Sequence, residues 1–314
     1  MAFAFDAYPF DPKSELPLVL GGNVFGWSAD KNASFAVLDA FSGAGGSQID
    51  TADSYTRSAP GNTGGESETI IGEWMSSRGC RDRVFLATKV GSLPPLDNLR
   101  ADTIARAVED SLHRLRTDHI DLYWAHKDDP ATPQEETLAA FDALVQAGKV
   151  RYLGASNFSA ERLRSALELA AERGLAGYVA VQPHYNLLEH ADWENGAGRV
   201  ALDHQLATWP YYGLASGFLT GKYRPGADVQ SVRSRSVARY LNDRGFGVLA
   251  ELDRIAEAHR VSVAAVALRW LVQQPGVLAP IASARSVEQL TELLQVGDFS
   301  LSPDELATLR ATAD

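Results

Sequence analysis

The chain has 314 residues, of which 45% are hydrophobic and 22% charged, a balance that buries a sizeable core and excludes intrinsic disorder. A formal net charge of -11 argues against a surface that tracks nucleic acid or an anionic membrane, because either polyanion is repelled, and favours a small-molecule partner. The single cysteine, Cys80, excludes an intrachain disulfide. No basic region precedes an apolar run near the start, and no run approaches the roughly 20 apolar residues of a membrane helix, so a cytoplasmic location is expected.

Along the chain, short β-rich runs alternate with longer amphipathic ones. LPLVLGG is followed by ASFAVLDAFSGAGG, SQID by SETIIGEWMSSRG, and VFLATKV by ADTIARAVEDSLHRL. HIDLYWAH leads to PQEETLAAFDALVQAG, VRYLGAS to AERLRSALELAAERG, and GYVAVQP to a helix expected near residues 192 to 203. QLATWPYY, an irregular piece from about Arg224 to Arg244, GFGVLAELDRIAEAH and SVAAVALRWLVQQPG precede the last strand, GVLAPIAS, and its helix SVEQLTELLQ. Asp102 reads as a strong helix N-cap and Ser159, with Arg162 three residues on, as a weaker one. Strands such as VFLATKV and GYVAVQP are nearly continuous apolar runs, as expected where helices cover one side and a filled barrel interior the other.

The count predicts an α/β fold of the (β/α)8 TIM-barrel type, one domain over residues 1–314, with long βα loops and a C-terminal helix, SPDELATLR. A doubly wound dinucleotide-binding sheet requires G-x-G-x-x-G after the first strand, and GGNVFGW lacks it. SGFLTGKY imitates a phosphate-binding loop, but its glycine gap is one residue short and Tyr223 stands where Ser or Thr is required. With neither H-E-x-x-H nor C-x-x-C present, no metal is expected.

In a parallel barrel, chemistry gathers where strands end and βα loops begin. Asp50 closes SQID, Tyr55 follows it, Lys89 ends VFLATKV and His126 closes HIDLYWAH. A lysine at the end of an apolar strand needs a carboxylate, which Asp50 on the neighbouring strand is placed to supply. The ammonium is then expected to lower the Tyr55 phenol toward neutrality, a shift of about three units that needs roughly 4 kcal/mol. Singly, each residue has an ordinary structural explanation: an ion pair, a packing tyrosine, a satisfied histidine. Their joint placement on strands two to four favours a proton-transfer site. Trp27, Trp124 and Tyr212 are expected to line its mouth, where Arg57 is also a candidate.

GSQIDTADSY, VFLATKVG, DLYWAHKDDP, GKVRYLGASNF, VQPHYNLLE and LASGFLTGKYR, in that order and spacing, resemble the aldo-keto reductase superfamily over nearly the whole chain, from LVLGG to SVEQLTELL. The resemblance implies that Tyr55 is the general acid, that Lys89 and Asp50 tune it and that His126 orients a substrate carbonyl. It implies hydride transfer from a nicotinamide cofactor, NADPH in preference to NADH, to an aldehyde or ketone, with no metal. Ser156, Asn157 and Gln182 match positions that hold the nicotinamide carboxamide, Tyr211 matches an aromatic stacked on its ring, and Val24 and Phe25 match a cofactor edge. Leu214, Ala215, Gly217, Leu219, Gly221 and Lys222 match the segment over the pyrophosphate. Ser283, Arg285, Gln289 and Glu292 match the grip on the adenosine phosphate. This chain departs from the pattern with Tyr212 for a frequent Ser, Gly213 for Pro, Ser283 for Gly and Leu293 for Asn.

Two other classes stay in view at this point. One is a cofactor-binding regulatory subunit with slow turnover, and the other a barrel hydrolase pairing Asp50 with Asp128 or Asp129. The hydrolase leaves Tyr55, Lys89 and GASNF without a role. The oligomeric state and the particular carbonyl are not legible.

Overall fold

A computed structural model of the chain describes residues 16–226 and 234–314. Its centre is one parallel sheet of eight strands: β1 (Val19–Gly21), β2 (Gln48–Asp50), β3 (Phe85–Val90), β4 (Ile120–Ala125), β5 (Val150–Ser156), β6 (Tyr178–Gln182), β7 (Ala207–Thr208) and β8 (Ile281–Ala282). The hydrogen-bonded order β7-β6-β5-β4-β3-β2-β1-β8 runs continuously around the sheet. The two ends meet as well: Thr208 donates to Gly276 O at 2.9 Å, Leu278 to Thr208 O at 3.0 Å, and Ile281 to Pro210 O at 2.8 Å. These bonds close a (β/α)8 barrel, the expected fold.

The first five helices are α1 (Lys31–Gly43), α2 (Glu66–Arg78), α3 (Ala101–Leu115), α4 (Gln134–Gln146) and α5 (Ala160–Arg173). The helix expected near residues 192 to 203 is broken in two, α6 (Ala191–Asn195) and α7 (Ala197–Asp203), because Gly196 at φ -110 and ψ -120 leaves helical space between them. Of the irregular piece after β7, residues 227–233 lie outside the described residues. Its remainder is more ordered than expected, with a short helix α8 (Ser234–Val237), a 3-10 turn and then α9 (Asp243–His259). The fold is completed by α10 (Val263–Val272), α11 (Val287–Leu294) and α12 (Pro303–Ala313). A capping box between Ser302 and Glu305 starts α12. Among the described residues, no helix is long and apolar enough to cross a membrane.

One capping expectation is corrected. Arg100 is the N-cap of α3 and makes no side-chain cap, while Asp102 sits inside the first turn, where its charge still complements the helix dipole. Ser159, rated the weaker signal, accepts from the Arg162 amide at 3.2 Å and caps α5.

The period of two along each strand divides the side chains into two cores. Ile49, Leu86, Tyr123 and Leu153 face outward and pack with the helices, whereas Val19, Phe85, Ala87, Leu122, Trp124, Ala180, Ala207 and Trp209 fill the barrel. Trp124 and Trp209 meet edge to face with centroids 5.8 Å apart and form the bulk of that plug. Gly154 on β5 makes room for it: a Cβ there would lie 2.2 Å from the Trp124 ring.

Candidate active site

Advancing two residues from the plug along each strand reaches a polar layer at the C-terminal mouth. Ala87 leads to Lys89, Trp124 to His126, Gly154 to Ser156, Ala180 to Gln182, Trp209 to Tyr211, Ile281 to Ser283 and Gln48 to Asp50. Strand register completes the placement. Asp50 is level with Ala87 on β3, so Lys89 stands one inward step above it, and Ser156 is level with Gln182.

Lys89 is fully buried and donates to three oxygens: Asp50 Oδ2 at 2.5 Å, Thr51 O at 2.6 Å and Tyr55 Oη at 2.9 Å. Gln182 Nε2 donates to the other Asp50 oxygen at 3.0 Å, and the Tyr55 hydroxyl lies 3.4 Å from Oδ2. Asp50, Tyr55 and Lys89 thus form one bonded cluster, as the strand ends predicted. His126 joins it at the rim, its ring edge-on to Tyr55 with centroids 6.1 Å apart and Nδ1 3.4 Å from Ser54 Oγ.

The electrostatics differ from the expectation. The Tyr55 phenol is held well above its ordinary range, by burial first and then by the Asp50 carboxylate, rather than lowered toward neutrality. The reason is that the Lys89 charge is offset by the carboxylate bonded to it. Burial pulls the Lys89 ammonium down, and Asp50 opposes that pull. Burial, followed by the charges of Lys89 and Lys127, pushes His126 down to about 3. A neutral phenol and a neutral imidazole therefore face the mouth. The phenol keeps its proton and has a buried ammonium behind it.

Tyr55 and His126 line one end of a cavity of about 710 Å³. Ser156, Asn157, Gln182 and Tyr211 form a linked wall beside them. Ser156 Oγ donates to Gln182 O at 2.8 Å, Asn157 Nδ2 to Ser156 Oγ at 2.9 Å and to His126 O at 3.0 Å, and Tyr211 Oη to Asn157 Oδ1 at 2.7 Å. Past this wall the cavity follows Leu214, Gly217, Gly221 and Lys222 to Ser283, Arg285, Gln289 and Glu292 at the start of α11. Gly217 and Gly221 have φ of 97 and 80, the left-handed region that suits glycine. Ser283 hydrogen-bonds Asn23 across the β8–β1 boundary, and Gln289 accepts from the Arg285 amide at 3.1 Å.

Of the expected cofactor edge, Val24 lines the cavity, whereas Phe25 is turned into the helix-side core. Ala215 and Leu219 are also buried in that core, facing away from the cavity lined by their neighbours. Trp27 and Tyr212 line the mouth and are 42% and 47% exposed. Trp124 does not line it: it is fully buried in the plug, one inward step below His126. Arg57 is exposed and lies outside the lining. Both carboxylates of the hydrolase alternative are engaged elsewhere. Asp128 takes Arg162 in a two-pronged bond at 2.7 and 2.9 Å, and Asp129 accepts from the Leu99 and Ala131 amides and from Thr132. Sequence reasoning missed Asn23, Ser28, Ser54, Ser216 and Thr220, small polar residues in βα loops, where no strand parity marks them.

Fold and site together define a parallel barrel whose C-terminal mouth carries a buried lysine hydrogen-bonded to a tyrosine hydroxyl beside a long-walled cavity. A family model described as the aldo/keto reductase family matches residues 17–314. The chain is 32% identical over 300 residues to the aldo-keto reductase YhdN of Bacillus subtilis (strain 168), covering 91% of this chain and 85% of that one. It is 34% identical over 302 residues to the uncharacterized oxidoreductase YrpG of the same organism, covering 93% and 90%. Against the NADP(+) aryl-alcohol dehydrogenase of Phanerodontia chrysosporium it is 31% identical over 306 residues, covering 90% and 76%. The chain belongs to the aldo/keto reductase family and is an oxidoreductase of the carbonyl-reducing class.

Proposed function

We propose that the protein is an NADPH-dependent reductase of aldehyde or ketone carbonyls, reversible toward alcohols, with Tyr55 as proton donor. The observation that carries this reading is the hydrogen bond from the buried Lys89 ammonium to Tyr55 Oη, 2.9 Å, at the inner end of an elongated cavity.

The cavity residues fit the cofactor. Asn157 and Gln182 offer side-chain amides and Ser156 a hydroxyl, matching a carboxamide that both donates and accepts. Tyr211 is tied to Asn157 and gives a flat wall for the ring. At the far end, Lys222 and Arg285 line the cavity, and neither has a carboxylate partner among the described residues, leaving both cations for phosphate. When bound, the reduced nicotinamide supplies hydride to the carbonyl carbon. Tyr55 gives its proton to the carbonyl oxygen, and the Lys89 ammonium stabilises the phenolate left behind. Neutral His126 fixes the direction of that oxygen without competing as an acid, because its proton affinity is too low. The lysine charge needs no solvent, since Asp50, Thr51 and Tyr55 take its three donors.

The mouth indicates a class of substrate. Trp27, Tyr55, His126 and Tyr212 carry no charge there, which suits an uncharged, planar carbonyl compound. The NADP(+) aryl-alcohol dehydrogenase relative acts, by its name, on aromatic alcohols, in keeping with that choice.

The test combines binding and turnover. NADPH is expected to quench tryptophan fluorescence and to be oxidised with an aromatic aldehyde at higher kcat/KM than with an open-chain sugar. Tyr55→Phe should retain NADPH affinity and lose roughly 10²- to 10⁴-fold in turnover. Wild-type turnover in that variant removes the proton role, and absence of both NADPH responses removes the reductase reading.

A further inference from the structure

The turn that carries Tyr55 holds a second carboxylate, which the mechanism above does not use. Asp53 is 1% exposed, and neither of its carboxylate oxygens has a hydrogen-bond partner among the described residues. The Ser54 amide and hydroxyl lie close enough to favour its charge but short of bonding geometry. Among the described residues, the cations near it, Arg114 and Lys89, are already matched. Glu68 of α2 takes Arg114 of α3 at 2.6 Å and the Thr88 hydroxyl at 2.5 Å, and Lys89 of β3 takes Asp50. On β4, the Tyr123 hydroxyl is buried without a hydrogen-bond partner among the described residues and is affected by both Asp53 and Glu68. Two carboxylates thus face one arginine, and Asp53 is the uncompensated one. Burial and the Glu68 charge push its carboxyl up to about 7.

We propose that Asp53 is a positioning residue of the Tyr55 turn that acts through its proton, neutral in the competent state and, once ionised, opposing proton release from Tyr55. Neutral, it packs beneath the turn with no charge to solvate. When its proton leaves to solvent, a negative charge appears behind Lys89, binding the ammonium proton more tightly and raising the cost of a second negative charge on the phenolate. This rests on Tyr55 as proton donor, and it adds a titration that neither Tyr55, held far above neutrality, nor His126, held far below, supplies.

The experiment follows carbonyl-reduction kcat with NADPH from pH 5.5 to 9 in the wild type, Asp53→Asn and Glu68→Gln, with melting temperatures over the same range. Wild-type kcat should fall roughly three- to tenfold as pH rises through 7, the effect of one charge acting across a low-dielectric distance. Asp53→Asn should flatten that limb. Glu68→Gln, which removes the repelling carboxylate and frees Arg114, should move it to lower pH. An unmoved limb in Asp53→Asn assigns the titration to another group and overturns the proposal.

Stability gives an independent reading. A carboxyl whose folded pKa is raised contributes stability fully below its unfolded pKa and loses it as pH climbs to the folded one. The melting temperature of Asp53→Asn relative to wild type should therefore rise between pH 4 and 7 and then level off. A pH-independent difference overturns the proposal even where no carbonyl substrate turns over. Absence of turnover with a rising difference instead removes the proton role of Tyr55 and leaves the buried proton of Asp53 in place.

Discussion

Gln182 at the end of β6 donates to Asp50 at the end of β2 across the full width of the barrel mouth, Nε2 to Oδ1, 3.0 Å. With Lys89 on Oδ2, this bond leaves neither oxygen of a fully buried carboxylate without a partner. It also joins the residues expected at the nicotinamide to those expected at the proton donor, so both halves of the site share one rigid contact. In Gln182→Leu the Asp50 oxygen is left buried and unpaired, which costs about 1–3 kcal/mol. The expected outcome is a melting temperature lowered by several degrees together with weaker NADPH binding. A stability loss with unchanged NADPH affinity would separate the structural role of the bond from any cofactor role.

The Lys89–Asp50 pair makes a sharper prediction, because removing one partner strands the other charge. Lys89→Met leaves a buried carboxylate with only neutral partners, the Gln182 amide and the more distant Tyr55 hydroxyl, and should cost about 3–5 kcal/mol. Adding Asp50→Asn removes the stranded charge while an amide oxygen still accepts from Gln182. The double variant is expected to recover most of the stability and none of the turnover. Recovery of both would show that the ammonium is not needed for proton transfer, and recovery of neither that the pair is required for folding.

Much of this site was legible because its residues end apolar strands. Asp50, Lys89, His126, Ser156 and Gln182 are polar termini of β-rich runs, and a parallel barrel brings such termini to one mouth. Trp124 was misplaced by attending to nearness in sequence rather than parity. It lies two residues before His126 and faces the same way, hence one layer deeper in the plug. Phe25 fails for a different reason: in the turn after β1 both Val24 and Phe25 are buried in the helix-side core, and only Val24 also reaches the cavity. The lowered tyrosine was expected from a positive charge that the Lys89–Asp50 pair would hold beside it. Strand order disclosed the pair, but not that the same Asp50 oxygen lies 3.4 Å from the phenol, where its charge raises Tyr55 instead of leaving a net positive charge beside it. Asp53 stayed invisible as a distinct group because its isolation depends on Glu68 choosing Arg114, a pairing 46 residues apart in sequence.

His126 carries a pH dependence of opposite sign to that of Asp53. Its folded pKa, about 3, lies below the ordinary value of 6.5, so the unfolded chain takes up a proton first as the solution is acidified. Stability is therefore lost progressively from pH 6.5 downward. His126→Gln, which cannot take up that proton, should lose less between pH 6.5 and 4, by roughly 2 kcal/mol after allowance for the partial exposure of the ring. Urea midpoints of both proteins across that range measure it, and parallel declines would assign the acid sensitivity to other groups.

On the proposed function, cofactor choice is expected to depend on Arg285, which lines the far end of the cavity just before the N-terminus of α11, a helix capped by Ser286. A guanidinium there meets a 2'-phosphate with paired, charge-assisted hydrogen bonds, whereas NADH offers only a hydroxyl at that position. Arg285→Ala is expected to weaken NADPH binding roughly tenfold, about 1.4 kcal/mol, while changing NADH binding little. Arg285→Lys should fall between the two, because an ammonium keeps the charge and loses the fork. Lys222 lines the same cavity from the β7 side, so the doubly substituted protein distinguishes a shared phosphate from separate ones. If both cations hold one phosphate, the second substitution costs less than it does alone; if Lys222 serves the pyrophosphate, the two losses add and NADH binding falls as well. An NADPH-to-NADH affinity ratio unchanged in Arg285→Ala would exclude the 2'-phosphate contact.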